Sequence, residues 1–186
     1  MDFNILKAEA EQKAISTIEV LKTEYAGLRT GRASVGLLDG IRVEVYGAEM
    51  PLNQVATVAT PEAQTITVSV WDGSNVAAVE KAIRDSGLGL NPNTAGGVIR
   101  LNLPPLTEER RKELVKVAKK YAEDAHIALR NVRADLRDRI KKAESDKQIS
   151  EDDRKRYEED LQKVFDARGL DIDAVAKQKE SDIMTV

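Results

Sequence analysis

Leu103-Pro104-Pro105-Leu106-Thr107-Glu108-Glu109-Arg110-Arg111 is where the 186-residue chain changes period. After Pro104-Pro105 the pattern becomes helical and stays so. Thr107 is placed to cap a helix whose first residues, Glu108 and Glu109, are acids, as the helix dipole prefers. Leu114, Val117, Ala118, Tyr121, Ala125, Ala128, Val132, Leu136 and Ala143 then recur at steps that put them on one face. The run from Thr107 to Ser145 would extend about 58 Å at 1.5 Å per residue. Ser150-Glu151-Asp152-Asp153 opens another helix with a good N-cap and three acids in its first turn. Its stripe is Tyr157, Leu161, Val164, Arg168, Ile172 and Val175, and Gly169 interrupts it at about 1 kcal/mol relative to alanine.

On the other side of the two prolines the pattern differs. Ile41–Tyr46 and Thr65–Trp71 alternate as strands do, and Gln54–Thr60 and Val98–Leu103 are further short strand candidates. One helical stretch, Asn75–Ser86, lies among them. All five prolines fall within 51–105 and eight of the 11 glycines within 36–97, so this segment is turn-rich. Residues 3–28 are helical again, with Phe3, Leu6, Ala10, Ala14, Ile18, Leu21, Tyr25 and Leu28 on one face and Gly31 as the C-cap. Three amphipathic helices can hide their stripes together where none could alone. The expected fold is therefore α+β: an elongated three-helix bundle from residues 1–30 and 106–186, with a β-rich domain holding one helix, 31–105, inserted. The chain crosses between domains twice, and Gly31 with Pro104-Pro105 marks a hinge.

Composition excludes whole classes. There is no cysteine and one histidine, which removes disulfides, thiol nucleophiles, zinc ribbons and multi-histidine metal sites. No apolar run reaches the roughly 18 residues that span a bilayer, and the N-terminus turns charged too early for a signal peptide. Gly87–Pro92 and Ala95-Gly96-Gly97 fit neither phosphate-loop nor dinucleotide motifs and read as turns. No catalytic constellation, metal set or cofactor site emerges, and the chain is expected to be a cytoplasmic monomer that is not an enzyme.

The net charge of −3 conceals a segregation: residues 106–145 carry 12 basic and 8 acidic side chains, residues 146–186 carry 8 and 12. Lys119, Glu123, His126, Arg130, Arg133, Arg137 and Lys141 gather along one line of the second long helix, expected opposite its buried face. Arginine's planar fork suits phosphate oxygens, so the line fits a structured nucleic acid; the plainer alternative is a solvated helix face. Arg29 and Arg32, flanking Thr30-Gly31 at the first crossing, invite the same pair of readings: a helix end with a solvated arginine, or a second grip on phosphate.

The chain resembles the bacterial ribosome recycling factors over essentially its whole length. The resemblance rests on Arg29–Ala33, Leu37–Gly40, Val79–Ile83, Leu88–Pro92, Leu103–Arg111, Arg130–Arg133 and Ile149–Asp153, in order and at fitting intervals. It implies an L-shaped, tRNA-like molecule whose bundle lies along large-subunit ribosomal RNA, not DNA. It further implies action with elongation factor G, which hydrolyses GTP, to separate the subunits and release mRNA and tRNA. The matching arginines, Arg130 and Arg133 with Arg29 and Arg32, would contact the RNA; Lys119, Arg137 and Lys141 extend the same line, and Gly31, Ala33, Pro104 and Pro105 form the hinge. Two departures stand out: Ala134, where many relatives carry a second arginine, and Gly169, where relatives carry ordinary helix formers. The rival readings are a helical adaptor or chaperone, and an enzyme using the β-domain loops.

Overall fold

The computed structural model describes residues 1–30 and 32–185. Its elements are α1 (Phe3–Ala26), β1 (Arg42–Val45), β2 (Ala48–Pro51), β3 (Ala56–Glu62), β4 (Thr65–Val70), α2 (Val76–Arg84), β5 (Pro92–Ala95), β6 (Val98–Asn102), α3 (Glu108–Ser145) and α4 (Glu151–Met184), with short 3-10 turns between. The fold is α+β, three long helices and a small sheet region. It divides into two compact units, Met1–Tyr25 with Lys116–Glu180, and Ala26–Val115 with Ser181–Val186.

The first unit is helical. Leu6, Ala10, Ala14, Ile18, Leu21 and Tyr25 of α1 are buried, with Ala118, Ala122, Ala125, Leu129, Leu136, Ile140 and Ala143 of α3 and Leu161, Val164, Phe165, Ile172 and Ala176 of α4. The buried face of α3 departs from the expected stripe: Ala122, Leu129 and Ile140 join it, whereas Tyr121, Ala128 and Val132 are half-buried and Val117 is exposed. A helix wedged between two neighbours has its face set by their bisector, which periodicity alone does not locate. Alanines on the inward lines let the helices approach closely, and aromatics close the gaps. The Phe3 and Tyr157 rings stack with centroids 4.1 Å apart, and the Tyr25 hydroxyl donates to the Ala118 carbonyl at 2.7 Å. Burial, helped by Glu180 and Glu24, pushes the Tyr25 phenol up to about 12.

Local chemistry explains where α3 ends and α4 starts. Lys147 takes the left-handed conformation (φ 60°) and the Gln148 N–H donates to the Ala143 carbonyl, which closes α3. Ser150 Oγ then accepts from the Asp153 N–H at 3.0 Å while the Asp153 carboxylate accepts from the Ser150 N–H, a reciprocal cap. α4 runs unbroken through Gly169.

The second unit holds a two-stranded sheet, β1-β2, and a four-stranded antiparallel sheet in the order β3-β4-β6-β5. β2 and β5 were not legible as strands in the sequence; Ala48–Pro51 and Pro92–Ala95 bury little and show no alternation. The core joins Val43 and Val45 to Ile66, Val68, Ile99 and Leu101 of the larger sheet, with Val79 and Ile83 of α2 and Leu37, Leu38, Leu52 and Leu103 closing it. A β-carbon at Gly36 would come within 3.0 Å of the Ala26 carbonyl oxygen, so that close approach requires glycine. Two crossing segments are clasped by one turn: the Ala33 N–H donates to the Ala63 carbonyl at 2.6 Å and the Leu103 N–H to the Gln64 carbonyl at 2.8 Å.

Candidate nucleic-acid interface

At 100° per residue, the line of Lys119, His126, Arg130, Arg133, Arg137 and Lys141 lies about 100° around α3 from the line of Ala118, Ala125, Leu136 and Ala143. The cationic stripe is thus on the flank beside α4, not opposite the buried face as the sequence suggested. The stripe leans inward at Arg133, which is half-buried. Its Nη1 donates to Gln162 Oε1 of α4 at 3.2 Å, and its Nε is shielded from solvent without a partner. Arg130 remains exposed and meets Glu123 at 3.2 Å on the same helix. His126 Nε2 lies 2.8 Å from Asp173 Oδ1 of α4. Lys119, Arg137 and Lys141 have no ion-pair partner among the described residues.

Between the helices the flank opens into a shallow groove. Leu129 and Phe165 form its apolar floor and the exposed Leu170 its rim, with Arg130 and Arg133 on one side and Gln162, Asp166 and Asp173 on the other. Gly169 lines it too; a β-carbon there would meet only His126 Cε1, at 3.9 Å. Chemically the groove sets two guanidinium groups beside a narrow apolar strip, and Lys119, Arg137 and Lys141 continue the cationic line along α3 outside it. The line suits repeated phosphates, because an arginine whose own acids are few keeps its donors for an outside anion.

Arg29 and Arg32 belong to the other unit. Arg29 Nη2 donates to the Pro104 carbonyl, and burial together with the neighbouring Arg111 guanidinium lowers its pKa from the usual arginine value. Arg32 is exposed, and its backbone N–H donates to Thr30 Oγ1 at 3.4 Å. Of the expected hinge residues, Ala33 is half-buried, Pro104 and Pro105 are exposed, and Gly31 lies outside the described residues. Among the described residues no His/Asp/Glu group could hold a metal ion, and no helix is long and apolar enough to cross a membrane.

Sequence reading missed Arg111. It is buried, and its Nη1 donates to the Ile183 and Thr185 carbonyls at 2.6 Å each, so it satisfies the open end of α4. A signal existed: Arg110-Arg111 puts cations in a helix's first turns, where the dipole disfavours them. Gln162 and Asp173 were missed because pairing across helices leaves no trace in either helix's period.

The sequence model of the ribosome recycling factor family matches residues 21–184. The chain belongs to the ribosome recycling factor family. The match takes in the whole cationic flank of α3, its α4 wall, the sheet unit and Arg29. The ribosome-recycling factor of Zymomonas mobilis is 56% identical over 178 residues, 96% of each chain. That of Rickettsia felis is 52% identical over 186 residues, the full length of both. The solution structure of a ribosome recycling factor superposes with a TM-score of 0.79 at 44% identity, covering 100% of this chain and 99% of that one. A second family structure, with a TM-score of 0.69 and 45% identity over all of both chains, is that of the T. thermophilus ribosome recycling factor, set with E. coli elongation factor G on the E. coli post-termination complex.

Proposed function

We propose that the chain is a ribosome recycling factor that binds the post-termination ribosome along large-subunit ribosomal RNA. With elongation factor G, which supplies the GTP hydrolysis, it separates the subunits and frees mRNA and tRNA. The observation that carries the RNA contact is the α3 flank, where Lys119, Arg137 and Lys141 lack acid partners among the described residues and Arg130 and Arg133 line the groove beside α4. Arg29 and Arg32 would add a second grip. In this reading the factor is a cytoplasmic monomer without catalysis or cofactor of its own and without affinity for DNA. Residues 1–30 with 106–186 act as one domain and 31–105 as the other, and Gly31, Ala33, Pro104 and Pro105 form the hinge.

Family membership over the full length supports the ribosome as target, and the relative placed beside elongation factor G supports that partner. The test is co-sedimentation of the purified chain with ribosomes at three salt concentrations. A phosphate-binding factor pellets at moderate salt and is released along a linear log–log salt dependence. A helical adaptor with a solvated flank stays in the supernatant throughout.

A further inference from the structure

The sheet unit carries a face that RNA binding leaves unused. The β1-β2 hairpin turns through Tyr46-Gly47 with φ of 52° and 76°. A tyrosine in the left-handed region is uncommon and strained. The residue is 74% exposed, yet its hydroxyl donates to Asp72 Oδ2 and accepts from Asn75 Nδ2 at 3.1 Å. Trp71, next to Asp72 and the chain's single tryptophan, is 63% exposed, and its Nε1–H donates to Thr57 Oγ1 at 2.8 Å. Both rings are thus fixed by their polar ends with their faces left to solvent, an arrangement typical of aromatic anchors at interfaces. On the hairpin's outer face Glu44 stands directly opposite Glu49 in the register, and neither has a cationic partner among the described residues. Like charges directly opposed weaken a strand pair, and Arg42, two residues along β1, forms an ion pair with neither glutamate among the described residues.

We propose that this end of the sheet unit docks a cationic protein segment, whose arginine or lysine side chains lie over the Tyr46 and Trp71 rings and meet the Glu44–Glu49 pair. Cations over aromatic faces and carboxylates beside them are two halves of one recognition. Single-stranded RNA would also stack on exposed rings, but Glu44, Glu49 and Asp72 repel its phosphates.

Trp71 reports directly on this face. The full chain is titrated with a ten-residue Arg-Gly repeat peptide, with its citrulline counterpart, and with a uridine decamer, reading Trp71 emission. The expected result is a saturable emission shift with the arginine peptide, at least tenfold weaker with the citrulline one and absent with the RNA. The double variant Glu44→Gln/Glu49→Gln should bind at least fivefold more weakly while melting at a higher temperature, since it relieves a repulsion. Any one of three results overturns the proposal: no Trp71 response to the arginine peptide, equal affinity in the double variant, or a response to the RNA in place of the peptide.

Discussion

The two flanks of α3 hold similar side chains and treat them differently. Toward α1, Arg139 meets Glu9 at 2.8 Å, and Arg168 of α4 likewise meets Glu11 of α1 at 3.1 Å. Toward α4, Lys119, Arg137 and Lys141 meet no acid among the described residues, although α4 carries Asp166 and Asp173 along the same groove. On the first flank the cation is matched by its neighbour; on the second, beside the His126–Asp173 and Glu144–Arg154 contacts, these three cations are left open. Counting charges along a helix would not separate them. What distinguishes the α4 flank is that three of its cations, Lys119, Arg137 and Lys141, have no internal carboxylate partner among the described residues, because an unpaired cation gains fully from an outside phosphate.

The sharpest way to break this comparison is to empty the open flank. Arg130→Ala/Arg133→Ala/Arg137→Ala should reduce ribosome co-sedimentation at least tenfold at moderate salt and lower the salt slope by about 2–3. Arg139→Ala, on the closed flank, should leave retention and slope unchanged and lower the melting temperature by about 1–2 °C. If the two variants lose retention equally, the open flank has no special role.

Arg133→Ala alone should weaken ribosome binding several-fold and flatten the salt slope by about 0.7–0.9. Because Arg133 is half-buried against Gln162, a small fall in melting temperature should accompany it. A large fall with unchanged binding would make Arg133 a packing residue of the bundle.

Gly169→Ala probes the room beside the open flank. The added methyl meets nothing closer than 3.9 Å, so removing a mid-helix glycine should raise the melting temperature by about 2–4 °C. A lowered melting temperature would show the groove to be tighter than its geometry.

The smallest effect concerns the closed flank and acid. Hydrogen bonds from Arg139 and then Lys13 hold the Glu9 carboxyl down to about 2, from an ordinary 4.5. A depressed acid contributes stability above its ordinary value and loses it as pH falls toward the folded one. The melting-temperature gap between the wild type and Glu9→Gln should therefore be full above pH 5, shrink below it, and vanish as pH falls through about 2. A gap independent of pH would mean the pair is solvent-screened.

Much of the fold could be read from the sequence, and the reasons differ by element. The long helices announced themselves through period and caps: Thr107 Oγ1 does accept from the Arg110 N–H at 3.1 Å, and Ser150 caps α4. β4 was legible because Thr65–Val70 alternates toward a core. β2 and β5 were not, since strands that bury little carry no hydrophobic signature. For the candidate site, the cations were legible as a line. Their position on the α4 flank was not, because a helical wheel orders residues around one axis and contains no information about where a neighbouring helix will lie. Arg133's inward lean and the His126–Asp173 contact are products of that neighbour.

The clasp at Ala63-Gln64 has a consequence for how the chain assembles. It holds residue 33 beside residue 103, so once the sheet unit has formed, the polypeptide leaves almost where it entered. For α1 seeking α3, a separation of about 80 residues becomes an effective loop of about a dozen. Closure entropy scales as (3/2)RT ln n, which makes this shortcut worth about 2 kcal/mol. A segment whose ends meet in this way is topologically a side branch. A short linker could replace it without lengthening the path between the helices that flank it, and a sheet unit that folds early would speed the meeting of helices far apart in sequence.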